Sequence, residues 1–254
     1  MNRLTSTDPA RCPKCGHHQT LVTRYCESCG FDRHQAVGEG AAGGFSGIFR
    51  SARTRAKLTV ALLAAITLVY VLTAFHHVSG FDLVSRADLG ILTPGEVTVF
   101  DDVTQILAVA YLLAFLASAV AFLAWLSRSV DNVPPLTGQV PRSTPRWSIG
   151  WWFVPIANFV MPYLVVRDLL VRLRGTDGGP IWVLLAWWVA WLGTTLASLV
   201  VASIRGPNTL AELNTWFSVN LAADLAGATA AVLAIVVVRG IQTLADQRAS
   251  SPIS

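Results

Sequence analysis

Four cysteines carry the most specific chemistry in the chain. Cys12-Pro-Lys-Cys15 and Cys26-Glu-Ser-Cys29 are two Cys-x-x-Cys knuckles with ten residues between them, and each is followed by a glycine, Gly16 and Gly30. Paired knuckles of this spacing suit a tetrahedral zinc site of four thiolates. The glycines permit the tight turn that aims backbone amides at sulfur. A closed four-cysteine site keeps no open coordination position, so the zinc is expected to be structural. A segment of some 34 residues cannot bury a sufficient core. Metal binding would supply its folding free energy, on the order of 10 kcal/mol. Disulfides are the competing use of these thiols, and a reducing compartment disfavours them. His17, His18 and His34 are spare. Arg11, Lys14, Arg24 and Arg33 make the ribbon mildly basic, but Asp8, Glu27 and Asp32 dilute that charge and argue against nucleic acid as a partner.

A second group of residues sits in apolar surroundings. Asp224 is the single charge in the run 217–238, and Asn220 lies one helical turn before it. A carboxylate within a membrane segment is costly and marks a functional site by default. It would serve proton relay or cation coordination, or else a hydrogen bond that fixes a neighbouring helix. His76 and His77 follow the run 58–75 and are expected to end the first helix near the outer surface. Adjacent helical residues diverge in direction, so they make a poor pair of metal ligands. No nucleophile elbow, phosphate loop or helix-borne metalloprotease motif is present, and no enzymatic activity is expected.

The elements that must carry these residues are membrane helices. The chain has 254 residues, 53% hydrophobic and only 13% charged, outside the range of ordinary soluble domains. Residues 1–34 form the ribbon. Residues 35–56 hold Gly38, Gly40, Gly43, Gly44 and Gly47, then Arg50, Arg53 and Arg55, and read as a flexible linker with a basic collar. The membrane domain is expected over 57–248. Apolar runs at 58–75, 103–126, 181–204 and 217–238 are each long enough to cross about 30 Å of hydrocarbon. In lipid they must be helical to satisfy their own backbone. The expected fold is therefore all-α and integral to a membrane, with four transmembrane helices, a broken segment on the cytoplasmic side and a small N-terminal zinc ribbon.

A further stretch, 147–174, is interrupted by Pro155, Asn158 and Pro162, and basic residues arbitrate its path. If it does not cross, nine lie in the arm through Lys57, six between 127 and 180 and two after 238. Only Arg86 and Arg205 then fall on the other side. The positive-inside rule then places both termini in the cytoplasm of an inner-membrane protein, with 147–174 lying on or dipping into the inner face. The acidic stretch 79–102 becomes an outer loop. Val165, Val166, Leu169, Leu170 and Leu173 share one helical face, away from Arg167, Arg172 and Arg174, and read as an interfacial helix on anionic lipid. The competing reading makes this segment the solvated end of a broken membrane helix. Ala186, Ala190, Thr194, Ser198 and Ala202 repeat at four-residue spacing, as do Ala222, Ala226, Ala230 and Ala234, and predict close packing of the third and fourth helices. Trp125, Trp147, Trp151, Trp152, Trp182 and Trp216 fall near span boundaries as an aromatic belt. Trp187, Trp188 and Trp191 sit deeper.

The stretch 122–173 resembles a bacterial membrane family, domain of unknown function 4328, common in actinobacteria. The resemblance rests on Trp125, Arg128 and Asn132, on Pro145-Arg-Trp147, on Gly150-Trp-Trp-Phe-Val-Pro-Ile-Ala-Asn158, and on Met161-Pro-Tyr163 with Arg167. It implies a domain over about 55–245 with four membrane helices, to which the ribbon is an addition. It implies no activity. It marks Arg128, Asn132, Trp151, Trp152, Pro155, Asn158 and Pro162 for attention. Three functions follow in order. The first is a non-enzymatic protein that anchors or signals, its ribbon docking a cytoplasmic protein, with its number of subunits open. The second is a transporter of a small solute, ion or proton that uses Asp224 and 151–162, with Arg128. The third is a lipid-modifying enzyme.

Overall fold

The structure, a computed structural model, describes residue 17 and residues 45–175, 181–203 and 209–250. The four ribbon cysteines lie outside those residues. Seven α-helices follow: α1 (Arg53–Asp88), α2 (Pro94–Asp131), α3 (Val133–Thr137), α4 (Pro145–Gly150), α5 (Met161–Arg174), α6 (Trp182–Ser203) and α7 (Leu210–Ser250), with a 3-10 turn at Ala157–Phe159 before α5. No strand occurs among the described residues. Among the described residues, four helices, α1, α2, α6 and α7, are long and apolar enough to cross a membrane.

The helices outrun their apolar cores. α1 has 36 residues and α2 has 38, so the stretch expected as an outer loop is almost wholly helical. His76 and His77 lie inside α1, not at its end. Polar residues at 76–88 and 94–102 keep good helix geometry because two helices support each other there. Only 89–93 reverses the chain. Gly90, at φ 69°, takes the left-handed position that follows the helix. Pro94 is the first residue of α2, where a missing N–H costs nothing. Glu96 reaches back to accept from the Thr93 N–H at 2.9 Å and its hydroxyl at 2.7 Å. The hairpin projects about 20 Å past residue 75 at 1.5 Å per residue.

α7 is the central helix. It packs along α1 and α6, and α1 packs on α2. The α6–α7 contact agrees with the small-residue expectation, although the stripes are used only in part. Ala230 and Ala234 are buried, whereas Ser198, Ala202 and Ala222 are exposed. The more intimate α1–α7 contact was not read from the stripes. It depends on glycine at two levels. A Cβ on Gly227 would strike the Tyr70 ring, and one on Gly80 would strike Phe217. Each glycine removes a side chain so that an aromatic ring from the facing helix can seat against its backbone.

The core gathers at the end of the bundle where α1 begins and α2 and α7 finish. Trp125, Leu126, Val130, Val133, Val166, Leu169, Val238 and Ile241 are buried there. Two expectations are corrected by this core. Trp125 is not part of a lipid-facing belt, being 0% exposed. The apolar face of α5 does not rest on lipid either. Val165, Val166, Leu169, Leu170 and Leu173 are all buried, packed into the same core as α7 and α3. That face is used up inside the protein, and the outward face carries Arg167 with the exposed Val171. Arg248 donates from Nε to the Leu173 carbonyl at 2.6 Å, closing the end of α5.

Charge divides the two ends. The end holding the core carries Arg50, Arg53, Arg55, Lys57, Arg128, Arg142, Arg146, Arg167, Arg172, Arg174, Arg239 and Arg248. The hairpin end carries Asp82, Asp88, Glu96, Asp101, Asp102 and Glu212, with Arg86 its one arginine or lysine among the described residues. Large apolar side chains between them, such as Leu68, Ile106, Leu113 and Val189, face outward, as lipid requires.

Candidate functional site

Two polar constellations stand at opposite ends of the bundle. The first joins α1, α2 and α7 beneath the hairpin. His77 Nδ1 and Asp224 Oδ2 are 2.7 Å apart, with side chains only 11% and 12% exposed. Aromatic rings enclose them: Trp216 meets His77 edge-on at 5.6 Å, and Phe217 lies 6.2 Å away. Asn220 does not join them, since its Nδ2 donates to the Trp216 carbonyl at 2.8 Å. Below the pair, Tyr70 and Tyr111 place their hydroxyls 3.5 Å apart. Beside it, His76 Nε2 is 2.7 Å from Thr104 Oγ1 and its ring stacks on Phe100 at 4.0 Å. The Thr104 hydroxyl donates to the Phe100 carbonyl at 2.9 Å. Its oxygen must therefore accept from His76, which puts the proton of His76 on Nε2.

His76 also lines a cleft of about 520 Å³ between the two arms of the hairpin. Ser79 and Asp82 of α1 and Glu96 and Phe100 of α2 share that lining. Glu96, in the projecting hairpin, is held well below the usual carboxylate range, at about 2. The Thr93 backbone N–H is the main cause, followed by the Thr93 hydroxyl and then Arg86. Arg86 meets Glu96 at 2.5 Å.

The second constellation is built by the stretch 122–173 at the basic end. Asn132, 2% exposed, clasps the chain that enters α1. Its Nδ2 donates to the Arg50 carbonyl at 2.9 Å, and its Oδ1 accepts from the Arg50 N–H at 3.1 Å. Asp131 next to it accepts from the Ser46 N–H at 2.8 Å and the Ser46 hydroxyl at 2.7 Å. Arg128 approaches Asp131 at 3.9 Å. Arg53 pairs with Asp246 at 2.9 Å, tying α1 to the end of α7.

The broken segment follows. Trp151 donates to Ser143 Oγ at 3.3 Å and packs on Trp147 at 4.7 Å. Trp152 meets Phe122, Trp188 and Trp191 edge-on. Pro155, Ile156 and Ala157 form a γ-turn closed by the Ala157 N–H donating to the Pro155 carbonyl at 2.7 Å. At its centre Ile156 takes φ 67°, a strained position for a β-branched residue. Ile156 and Phe153 are 84% and 73% exposed, so the turn presents an apolar tip. Trp152 Nε1 and Asn158 Oδ1 are buried without a hydrogen-bond partner among the described residues. Pro162 is buried as the second residue of α5.

The structure therefore pairs Asp224 with His77, not with Asn220, and separates both from the segment 151–162. His76 touches Thr104 and Trp152 touches Phe122 on the same α2. Those anchor points are about 27 Å apart at 1.5 Å per residue. Asp224, Arg128 and the broken segment do not line one path. Sequence reading missed the His77–Asp224 pair because the partners are 147 residues apart and α1 had been ended too early. The signal was present, since the polar residues after 75 keep helical spacing. Among the described residues no group of three or more His, Cys, Asp or Glu is placed to hold a metal ion.

Long apolar helices with large apolar side chains facing outward define a multi-pass α-helical membrane protein. Residues 89–243 match the family described as Domain of unknown function (DUF4328), and the chain belongs to it. The match starts after α1, later than the expected 55, so Asp224 lies inside it and His77 outside. No curated protein matches the chain, and no solved structure does.

Proposed function

We propose that the protein is a non-enzymatic membrane scaffold that holds its N-terminal cysteine module against the cytoplasmic face, with structural zinc in that module and a cytoplasmic protein as its partner. The clasp of Asn132 on both backbone groups of Arg50 carries this reading. Together with Asp131 on Ser46, it fixes residues 46–50, the stretch that enters α1, to the end of α2. The basic end supports a cytoplasmic orientation in an inner membrane. Transport along a path shared by Asp224 and 151–162 is disfavoured by their separation.

The test compares three strains: a full gene deletion, a deletion of residues 1–34, and Asp224→Asn. The scaffold reading expects removal of the module to reproduce the full deletion, while Asp224→Asn remains near wild type. Should Asp224→Asn abolish a solute flux in liposomes while module removal leaves it intact, the reading gives way to transport. Zinc content should fall to none in Cys12→Ser/Cys15→Ser.

A further inference from the structure

We propose that His77 and Asp224 form a proton-binding site within the membrane that exchanges with the outer side through the hairpin cleft. It needs the orientation proposed above but not the scaffold role. Three observations converge on it. The pair is in hydrogen-bond contact at 2.7 Å and nearly closed off from its surroundings. His76, its neighbour along α1, opens onto the cleft and has its ring centroid 6.2 Å from that of His77. Among the described residues, the imidazole of His77 is the one basic group in contact with the Asp224 carboxylate. Arg86 is the one arginine or lysine at this end among the described residues, and it is bound to Glu96.

The chemistry involves one proton and no other reactant. Without it, the site is an imidazole hydrogen-bonded to a carboxylate, with a net charge of minus one. With it, the site is either an imidazolium–carboxylate pair or an imidazole beside a carboxylic acid, and the net charge is zero. Both descriptions belong to one coupled pair. In a medium that screens poorly, that unit of charge is a large perturbation.

The groups facing the site can be named from each element. α1 supplies Tyr70, His76 and His77, with Asp82 further out in the cleft. α2 supplies Tyr111 through Tyr70, Thr104 through His76, and Glu96 in the cleft. α7 supplies Asp224 itself with Asn220 and Trp216. α6 contains no ionisable residue. The pair lies between the two levels where α1 and α7 approach through glycine, Gly80 on Phe217 and Gly227 on Tyr70. The proton is thus taken up at the seam of the two helices.

Trp216 provides a built-in reporter, 5.6 Å from the His77 ring. The full chain is placed in lipid nanodiscs, and the signal is the emission difference between the native protein and Trp216→Phe. A protonated imidazole quenches a neighbouring indole, so the signal falls through a single one-proton step as pH drops. Asp224→Asn and His77→Gln each abolish that step. In vesicles with the N-terminal arm inside, the signal follows an external pH jump at once and an internal one only after leakage. A nitrogen-15 titration of the native protein's histidines reads His77 without any substitution, which covers a variant that fails to fold. The proposal is overturned if the His77 resonances do not change between about pH 5 and about pH 9. It is equally overturned if the step survives either substitution, or if it follows internal pH first.

Discussion

The two ends of this bundle solve opposite problems with the same building material. At the basic end, polar side chains hold backbone as well as each other: Asn132 holds Arg50, Asp131 holds Ser46, Arg248 caps Leu173, and Arg53 pairs with Asp246 near the surface. Each bond fixes a segment beside the buried core. At the acidic end, the polar side chains meet each other: His77 meets Asp224, and His76 meets Thr104. A side chain that holds backbone locks geometry. A side chain that holds another ionisable side chain can change its charge. The comparison teaches that the first end ties down backbone segments, whereas the second closes an ionisable pair off between helices.

The widest break in that comparison is expected at the acidic end. His77→Ala leaves Asp224 without its partner and should cost about 3 kcal/mol, read by denaturant titration in micelles. Replacing both with leucine should return stability to within about 1 kcal/mol of wild type, because no buried charge remains. At the basic end, Asn132→Ala should cost about 1 to 2 kcal/mol by leaving both Arg50 backbone groups without their partner. Its clearer sign should be faster protease cleavage around residues 45–52, with the His77–Asp224 pair undisturbed. Ile156→Gly should go the other way and gain about 1 kcal/mol by removing the strain of its positive φ. A loss there would mean that the exposed isoleucine tip is needed where it stands.

The smallest effect should come from Glu96→Gln in the hairpin. The carboxyl of Glu96 is lowered in the folded protein, so its contribution is complete above its ordinary value of 4.5. It fades as pH falls from there towards about 2. Hydrogen exchange of the hairpin amides should show that acid loosening in the native chain and not in the variant.

Much of the architecture was legible because lipid leaves few choices. Four uncharged or nearly uncharged runs had to be helices, and the prolines at 155 and 162 had to break the fifth stretch. The contact between α6 and α7 was readable from alanine spacing. Three features escaped for physical reasons. Hydropathy reports where apolar side chains stop, not where helical hydrogen bonds stop, so α1 was ended near 75. An amphipathic face announces only that it must be covered, and the five apolar residues of α5 found protein in place of lipid. Trp125 fits a membrane boundary by position alone, but its depth depends on which way it points around α2. The His77–Asp224 pair required both the true length of α1 and its antiparallel register with α7, which no local pattern encodes.

The unbroken length of α1 has a mechanical consequence. Its 36 residues contain no proline and run from the clasped arm to the tip of the hairpin. An α-helix of that length is a rod of about 54 Å. A tilt of one degree about either end displaces the other by roughly 1 Å. A lever of this kind needs no wire of coupled side chains: whatever leans on the acidic tip at one end also leans on the anchor point of the arm at the other.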